Sequence, residues 1–156
     1  MTVRSSIEEE LANKRRLVYS NVGDSMLPFI REGRDLLVIE RPAEWDTIPD
    51  GSVTAKLKKY DVPLYKRDGG SAYVLHRVVA IDDKGYVLCG DNRHSREHGI
   101  NDRHVYGLLT GIIRDGKEVG LNGLGYRCYV HLWCDLFPLR AGIIYIRDRF
   151  GRRKKA

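Results

Sequence analysis

Residues 73–90 contain two runs typical of β-strands, Tyr73-Val74-Leu75-His76-Arg77-Val78-Val79-Ala80-Ile81 and Gly85-Tyr86-Val87-Leu88-Cys89-Gly90. β-Branched and aromatic residues dominate both runs, so we expect one strand over 72–82 and a returning strand over 85–90. Further short runs of this kind lie at 18–22, 34–40, 52–57, 62–66, 104–114 and 117–121. Because turn signals and not helices separate these runs, the sequence predicts a mainly β fold, with antiparallel sheets coiled into a partly open barrel.

Short helices are predicted at the two ends of the chain. Ser6 and Glu9 form a capping box for an N-terminal helix that ends near Lys14-Arg15-Arg16. Residues 125–150 are apolar and rich in aromatics, and Pro138 is expected to break them into two helical pieces. The predicted organisation is an N-terminal helix over 1–17, a β domain over 18–121 and an amphipathic helical tail over 122–156.

The net charge of +6 is concentrated at the C-terminus. The last ten residues contain six basic side chains, Arg147, Arg149, Arg152, Arg153, Lys154 and Lys155. An apolar helix followed by a basic cluster is typical of a segment that binds an anionic membrane surface. The alternative is a helix packed on the sheet and followed by a charged tail. Nucleic-acid binding is not expected, because the basic residues are terminal and are not interleaved with aromatic residues on strands.

Composition also predicts a cellular compartment. No stretch reaches 18 apolar residues, and the first ten residues do not have the pattern of a signal peptide. The three cysteines form no C-x-x-C pair, which argues for reduced thiols and against a structural zinc site. We therefore expect a cytoplasmic protein that needs no cofactor. If the C-terminal tail binds a membrane, we expect the protein to be a peripheral protein on the inner face of that membrane.

The stretch Gly23-Asp24-Ser25-Met26-Leu27-Pro28 predicts a tight turn that presents a serine hydroxyl. Gly23 can adopt the positive φ that such a turn often needs, and Pro28 fixes the direction of the chain. Met26 and Leu27 can anchor the turn in the core while Ser25 points outward. A serine in such a turn is by itself more often only a turn former.

His76 and Arg77 are the only polar residues in the first β-forming run. Period-2 alternation predicts that Val74, His76 and Val78 share one face, so the imidazole has small apolar neighbours. Such a histidine suits a general base with a fixed geometry. The structural alternative is a core histidine whose hydrogen bonds are satisfied.

Taken together, these pieces resemble the signal peptidase I-like serine peptidases. The segment from Ser25 to Pro28 resembles the nucleophile box of that family, 75–79 resembles its general-base strand, and 90–92 resembles its Gly-Asp-Asn box. The resemblance spans about residues 18 to 114. Typical bacterial members have a lysine as the base, whereas His76 matches the serine–histidine branch.

The resemblance implies a barrel of the signal peptidase type and a serine endopeptidase that cleaves a signal or leader peptide from a precursor. Ser25 is then the nucleophile and His76 its base. Counting from the Gly-Asp-Asn box places the orienting acid at Glu97, where the branch has aspartate. Asp91 and Asp102 are alternative acids, and each could instead cap a loop.

Further expectations concern the substrate. Asp24, Met26 and Leu75 are the predicted substrate contacts, and the bound peptide is expected to add a strand to the sheet. Gly23 stands where many members have a serine that donates to the oxyanion, so the backbone N–H of Ser25 would have to serve. Because of Gly23 and Glu97, a second interpretation stays open, namely a weak or inactive relative that acts as a peptide-binding or membrane-surface module.

One further motif competes for the same region. His94-Ser95-Arg96-Glu97-His98 matches H-x-x-E-H, a zinc peptidase pattern that needs a helix to place both histidines on one face. Gly90 and Gly99 bracket this segment and leave room for only a turn or so of helix. We therefore predict no metal site here.

Overall fold

The computed structural model describes residues 6–20, 22–45 and 55–152. Strands account for 35% of the structure and helices for 27%, so the predicted mainly β class is confirmed. The strands form two antiparallel sheets, and the larger sheet is strongly curled into a half-barrel.

The larger sheet carries most of the core. It consists of β1 (Arg16–Ser20), β2 (Asp35–Glu40), β3 (Pro63–Lys66), β4 (Tyr73–Leu75), β8 (Val105–Arg114) and β9 (Lys117–Gly120). Its strand order is β1-β2-β8-β3-β4, and β9 pairs with β8. Strands β1 and β4 therefore lie at opposite ends of this path, and no strand among the described residues pairs with the outer edge of either.

The smaller sheet follows β4 directly in the chain. It consists of β5 (Arg77–Asp82), β6 (Gly85–Cys89) and β7 (Glu97–Ile100), paired in that order. The predicted single strand over 72–82 is wrong, since β4 pairs with β3 in the larger sheet and β5 pairs with β6 in the smaller one. His76 is the one residue between β4 and β5. A period-2 pattern records which residues share a face but not where a strand changes its partner.

Other element boundaries also differ from those predicted. The N-terminal helix α1 covers Ile7–Lys14, with the predicted capping box at Ser6, and ends at Arg15 in the left-handed region. The predicted helix end near Lys14-Arg15-Arg16 is thus confirmed, whereas the predicted segment 1–17 also takes in Arg16 and Leu17, the first two residues of β1. Strand β7 was not predicted, because its sequence Glu-His-Gly-Ile has little β propensity. Within the predicted strand 52–57, residues 55–57 are not in a strand and the rest lies outside the described residues.

The interior of the curled sheet is a contiguous apolar cluster. The cluster includes Leu11 from α1, Met26 and Ile30 from the loop after β1, and side chains from β2, β3, β4 and β8. Met26 is 1% exposed and Ile30 is fully buried. The loop that carries Ser25 is thus anchored in the core, as the sequence predicts.

Two C-terminal helices follow β9. Helix α2 covers Leu124–Val130, a π-helical turn covers His131–Asp135, and helix α3 covers Phe137–Arg152. The helical path breaks at Leu136, just before Pro138 in the first turn of α3, where a proline is tolerated. The sequence predicts this break.

Hydrogen bonds cross the predicted boundary between β domain and tail. Tyr129 Oη donates to Asp91 Oδ2 at 2.9 Å, and Trp133 Nε1 donates to the Asp91 carbonyl at 2.8 Å. Further along, Arg147 Nη1 donates to Asn92 Oδ1 at 2.6 Å. The described part of 122–156 therefore packs against the β sheets and is not a separate tail. Within the described residues, no helix combines the length and apolar character needed to span a bilayer.

Candidate active site

Ser25 lies in the turn between β1 and β2. Gly23 has a φ of +97°, as predicted, and its N–H donates to Glu32 Oε2 at 2.8 Å. The Leu27 N–H closes the turn by donating to the Asp24 carbonyl at 3.1 Å. Met26, a predicted substrate contact, has its side chain in the core, so that side chain cannot serve as the contact. Anchored on one side by Met26, the turn leaves Ser25 half-buried at the surface.

The segment after β6 holds this turn in place. Asn92 donates twice, from its backbone N–H to the Ser25 carbonyl at 2.8 Å and from Nδ2 to the Asp24 carbonyl at 3.0 Å. Arg93 Nη2 donates to Asp24 Oδ1 at 2.6 Å, and this hydrogen bond lowers the pKa of Asp24. The Gly-Asp-Asn segment thus acts as a clamp on the serine turn.

Gly90 brings the serine turn and the histidine together. A Cβ atom placed on Gly90 would lie 2.6 Å from the Ser25 carbonyl oxygen and 3.1 Å from His76 Cδ2. Both distances are shorter than ordinary van der Waals contacts, so only glycine fits here. Since Cδ2 is bonded to Nε2, Gly90 packs on the side of the imidazole that carries Nε2, next to the Ser25 carbonyl. Among the described residues, no hydrogen bond joins Ser25 Oγ to His76, and apo sites often have longer catalytic distances.

We expect Gly90→Ala to reduce catalysis by about 10²-fold while the protein stays folded, because small displacements of reacting groups have effects of this size. The added methyl group must push the Ser25 carbonyl or the imidazole away. The measurement is kcat/KM for a peptide substrate, with thermal unfolding as the check on folding. Gly142→Ala is the matched control, because a Cβ on Gly142 meets no atom within 4 Å. Equal activity of both variants would contradict the close packing of Ser25 and His76 about Gly90.

The other edge of the imidazole faces Glu97 and Tyr65. His76 Nδ1 lies 3.3 Å from Glu97 Oε1 and 3.2 Å from Tyr65 Oη, and the histidine side chain is 11% exposed. Tyr65 Oη donates its own proton to Glu97 Oε1 at 3.0 Å. Both neighbours of Nδ1 thus present acceptors to it, which assigns the proton of the neutral ring to Nδ1 and leaves Nε2 as the basic nitrogen of that tautomer.

Glu97 is held as a carboxylate by three side chains. Arg67 binds it in a bidentate manner, with Nε to Oε2 and Nη2 to Oε1 both at 2.7 Å. Burial alone would raise the pKa of Glu97, but hydrogen bonds with His76, Arg67 and Tyr65 outweigh it and lower the pKa to about 2. The structure places Glu97, the orienting acid that the family resemblance implied, beside His76. Its other two partners, Tyr65 and Arg67, were not predicted from the sequence.

The lowered pKa predicts how stability depends on pH. Since the folded pKa of Glu97 is depressed from 4.5 to about 2, its contribution is complete above about pH 4.5 and is lost as the pH falls toward 2. We expect wild type to lose more stability across this window than Glu97→Gln does. Urea denaturation at several pH values measures the difference. Parallel pH curves for the two proteins would contradict the pairing of Glu97 with His76 and Arg67.

The two alternative acids have other partners. Asp91 is fully buried and binds Arg77 through both oxygens, at 2.9 Å and 2.7 Å. Asp102 accepts a hydrogen bond from Tyr86 Oη at 2.6 Å. Burial and this carboxylate raise the pKa of Tyr86 to about 12. Within the described residues neither acid hydrogen-bonds His76, so the structure leaves Glu97 as the acid on the histidine.

A small groove runs past Ser25. It has a volume of about 150 Å³ and is lined by Tyr19, Val22, Ser25, Leu37, Leu64, Tyr73, Val74 and Leu75. Side chains from β1, β2, β3 and β4 contribute, so the groove extends across several strands of the larger sheet beside the Ser25 turn. Leu75, a predicted substrate contact, lines this groove, whereas Asp24 is 62% exposed and pairs with Arg93.

The H-x-x-E-H segment does not form the helix that the zinc pattern requires. Glu97 and His98 lie in β7, where successive side chains point to opposite faces. His94 contacts the ring of Tyr145, and His98 Nδ1 lies 3.2 Å from Asp82. Among the described residues, no cluster of three His, Cys, Asp or Glu side chains is arranged to hold a metal ion.

Comparison of the chain with protein-family models, curated proteins and solved structures finds no match. The chemistry of the site therefore has to follow from its own geometry.

Proposed function

We propose that this protein is a serine endopeptidase of the signal peptidase I-like type, which cleaves a signal or leader peptide from a precursor. The observation that carries the proposal is the surroundings of His76. One edge of its ring faces the carboxylate of Glu97, and the other edge packs on Gly90 beside the Ser25 turn. A nucleophile, a base and an orienting acid in this order are the parts of a serine–histidine–acid hydrolase.

In the proposed mechanism, Nε2 of His76 accepts the proton of Ser25 Oγ while Oγ adds to the scissile carbonyl carbon. The imidazolium then gives this proton to the leaving amine as the C–N bond breaks, which leaves an acyl-enzyme. A water molecule attacks the ester, again with Nε2 as the base, and the Ser25 hydroxyl is restored. Glu97 remains ionised throughout, since its pKa of about 2 lies far below neutral pH, and stabilises the imidazolium.

The groove supports a peptide as the substrate. An extended peptide can add a strand at β1 or at β4, because no described strand pairs with the outer edge of either, and backbone hydrogen bonds of this kind hold extended peptides. A volume of about 150 Å³ suits small apolar side chains on either side of the scissile bond. The backbone N–H of Ser25 has no acceptor among the described residues, which leaves it free to bind the oxyanion.

The free thiols Cys89, Cys128 and Cys134 suit a reducing compartment. We therefore propose that the protein works in the cytoplasm, on a leader peptide or precursor present there.

The test of this proposal does not require the natural substrate to be known. The full chain is incubated with a proteome-derived peptide library, and mass spectrometry identifies newly formed termini. We expect internal cleavages that share a residue preference, and none with Ser25→Ala as the matched blank. Cleavage by the Ser25→Ala protein would overturn the nucleophile assignment. An absence of cleavage by the wild type would favour the second candidate, a peptide-binding module, because the groove would still hold an extended peptide.

A further inference from the structure

Helix α3 has an apolar stripe on its outer side. Leu139, Ile143, Ile146 and Phe150 follow one another at spacings of four, three and four residues, which places them on one face of a helix. Their exposed fractions lie between 53% and 62%. We call these four residues the outer stripe. They are the most concentrated group of exposed large apolar side chains in the described residues.

The opposite side of α3 is docked on the protein. Arg140 and Ile144 are each 2% exposed, and Arg140 Nη2 lies 3.4 Å from Cys89 Sγ. Arg147 binds Asn92 from the same helix. Since these contacts fix which side of α3 faces the sheets, the outer stripe is held facing away from them. A helix that only covers the sheets needs one apolar face, so a second apolar face indicates a second contact surface.

The charge next to the outer stripe indicates what covers it. Residues 147–155 contain six basic residues and one acidic residue, Asp148. Arg147 and Arg149 are exposed on the last turns of α3, beside Phe150. An apolar face continued by a basic cluster matches the acyl chains and anionic headgroups of a bilayer surface.

A second copy of this chain fits less well. The four half-exposed side chains offer on the order of 400 Å², about half of what one partner buries in an interface of standard size. Parallel pairing of two α3 helices would also bring the two basic clusters together, and like charges at close range repel.

We propose that α3 binds the surface of anionic membranes through the outer stripe and the basic residues that follow it. The helix lies flat in the interface, with the outer stripe in the headgroup region and Arg140 and Ile144 on the protein. Because α3 also contacts Asn92, which clamps the Ser25 turn, the candidate active site lies close to the bound membrane. This proposal does not depend on the proposed peptidase activity.

The test is co-flotation of the full chain with vesicles of phosphatidylcholine, with and without phosphatidylserine. We expect binding to the anionic vesicles at low salt, and a large loss of binding at high salt because charges on the surface are screened. The double variant Ile143→Gln/Ile146→Gln is expected to bind about tenfold more weakly, since two apolar groups leave the interface. The matched control is Ile81→Gln, because Ile81 on β5 is 54% exposed and lies far along the chain from α3.

A second variant set tests the charge separately. Arg153→Gln/Lys154→Gln/Lys155→Gln is expected to weaken binding by about fivefold for each residue replaced. Its control replaces three exposed lysines of the β sheets and loops, Lys58, Lys84 and Lys117, with glutamine. Arg147 is left unchanged in both sets because of its hydrogen bond to Asn92.

Three outcomes would overturn the proposal. The wild type could stay unbound with anionic vesicles at low salt, or the outer-stripe variant could bind as the wild type does. The third is a dimer of the wild type in sedimentation velocity without lipid that Ile143→Gln/Ile146→Gln abolishes, which would assign the outer stripe to a second copy instead. Peptidase activity is not read out in these experiments, so their failure and a failure of the proposed function are distinguishable.

Discussion

Ser25→Ala is expected to lower kcat/KM by at least about 10⁴-fold, and His76→Ala by a similar factor, while the double variant loses no more than either single one. The reason is that the two residues act as one unit: without the base the serine hydroxyl stays protonated, and without the hydroxyl the base has no proton to accept. Stability should change little in Ser25→Ala, because the anchoring contacts of the turn come from Met26 and from backbone groups.

The measurement is kcat/KM on a peptide taken from the library experiment. Ser95→Ala and His98→Ala serve as matched controls, since both side chains are exposed and, among the described residues, neither hydrogen-bonds Ser25, His76 or Glu97. If the losses of the two single variants multiplied in the double variant, Ser25 and His76 would act independently and the proposed mechanism would be wrong.

Local sequence patterns predicted the pieces of the site but not how they are joined. The turn at Ser25 follows from Gly23 and from the apolar anchor Met26, because both effects act within a few residues. The change of sheet at His76 does not, since it depends on which distant strands pair with β4 and β5. In the predicted continuous strand, His76 would have had apolar neighbours. Because the chain changes sheets at His76, the imidazole instead lies beside Glu97 and Tyr65.

The partners of Glu97 show the same limit. Arg67 and Tyr65 lie about thirty residues earlier in the chain, in or next to β3, and meet Glu97 only because the two sheets come together there. No local periodicity marks such a meeting. Likewise, Arg147 is one member of a basic cluster in the sequence, but in the structure it binds Asn92, which clamps the serine turn.

The buried ion pair between Arg77 and Asp91 connects stability to the site. Both side chains are fully buried, and Arg77 also donates to the Tyr60 carbonyl at 3.1 Å and to Tyr126 Oη at 2.6 Å. Tyr129 and Trp133 from the C-terminal helices bind Asp91 in turn. Asp91 thus joins β5 and the C-terminal helices to the segment that holds Ser25. Replacing a single partner of such a pair is more harmful than losing a surface ion pair, because it leaves the other charge buried without compensation.

Asp91→Ala is therefore expected to lower the free energy of unfolding by about 3–5 kcal/mol, which is a large part of the stability of a typical domain. Urea denaturation measures the change, and Asp68→Ala is the matched control. Asp68 is 75% exposed and pairs with Arg103 at 3.1 Å and with His104 at 3.0 Å, so water screens these pairs and its loss should cost far less. An Asp91→Ala protein as stable as Asp68→Ala would contradict this structural role of the buried pair.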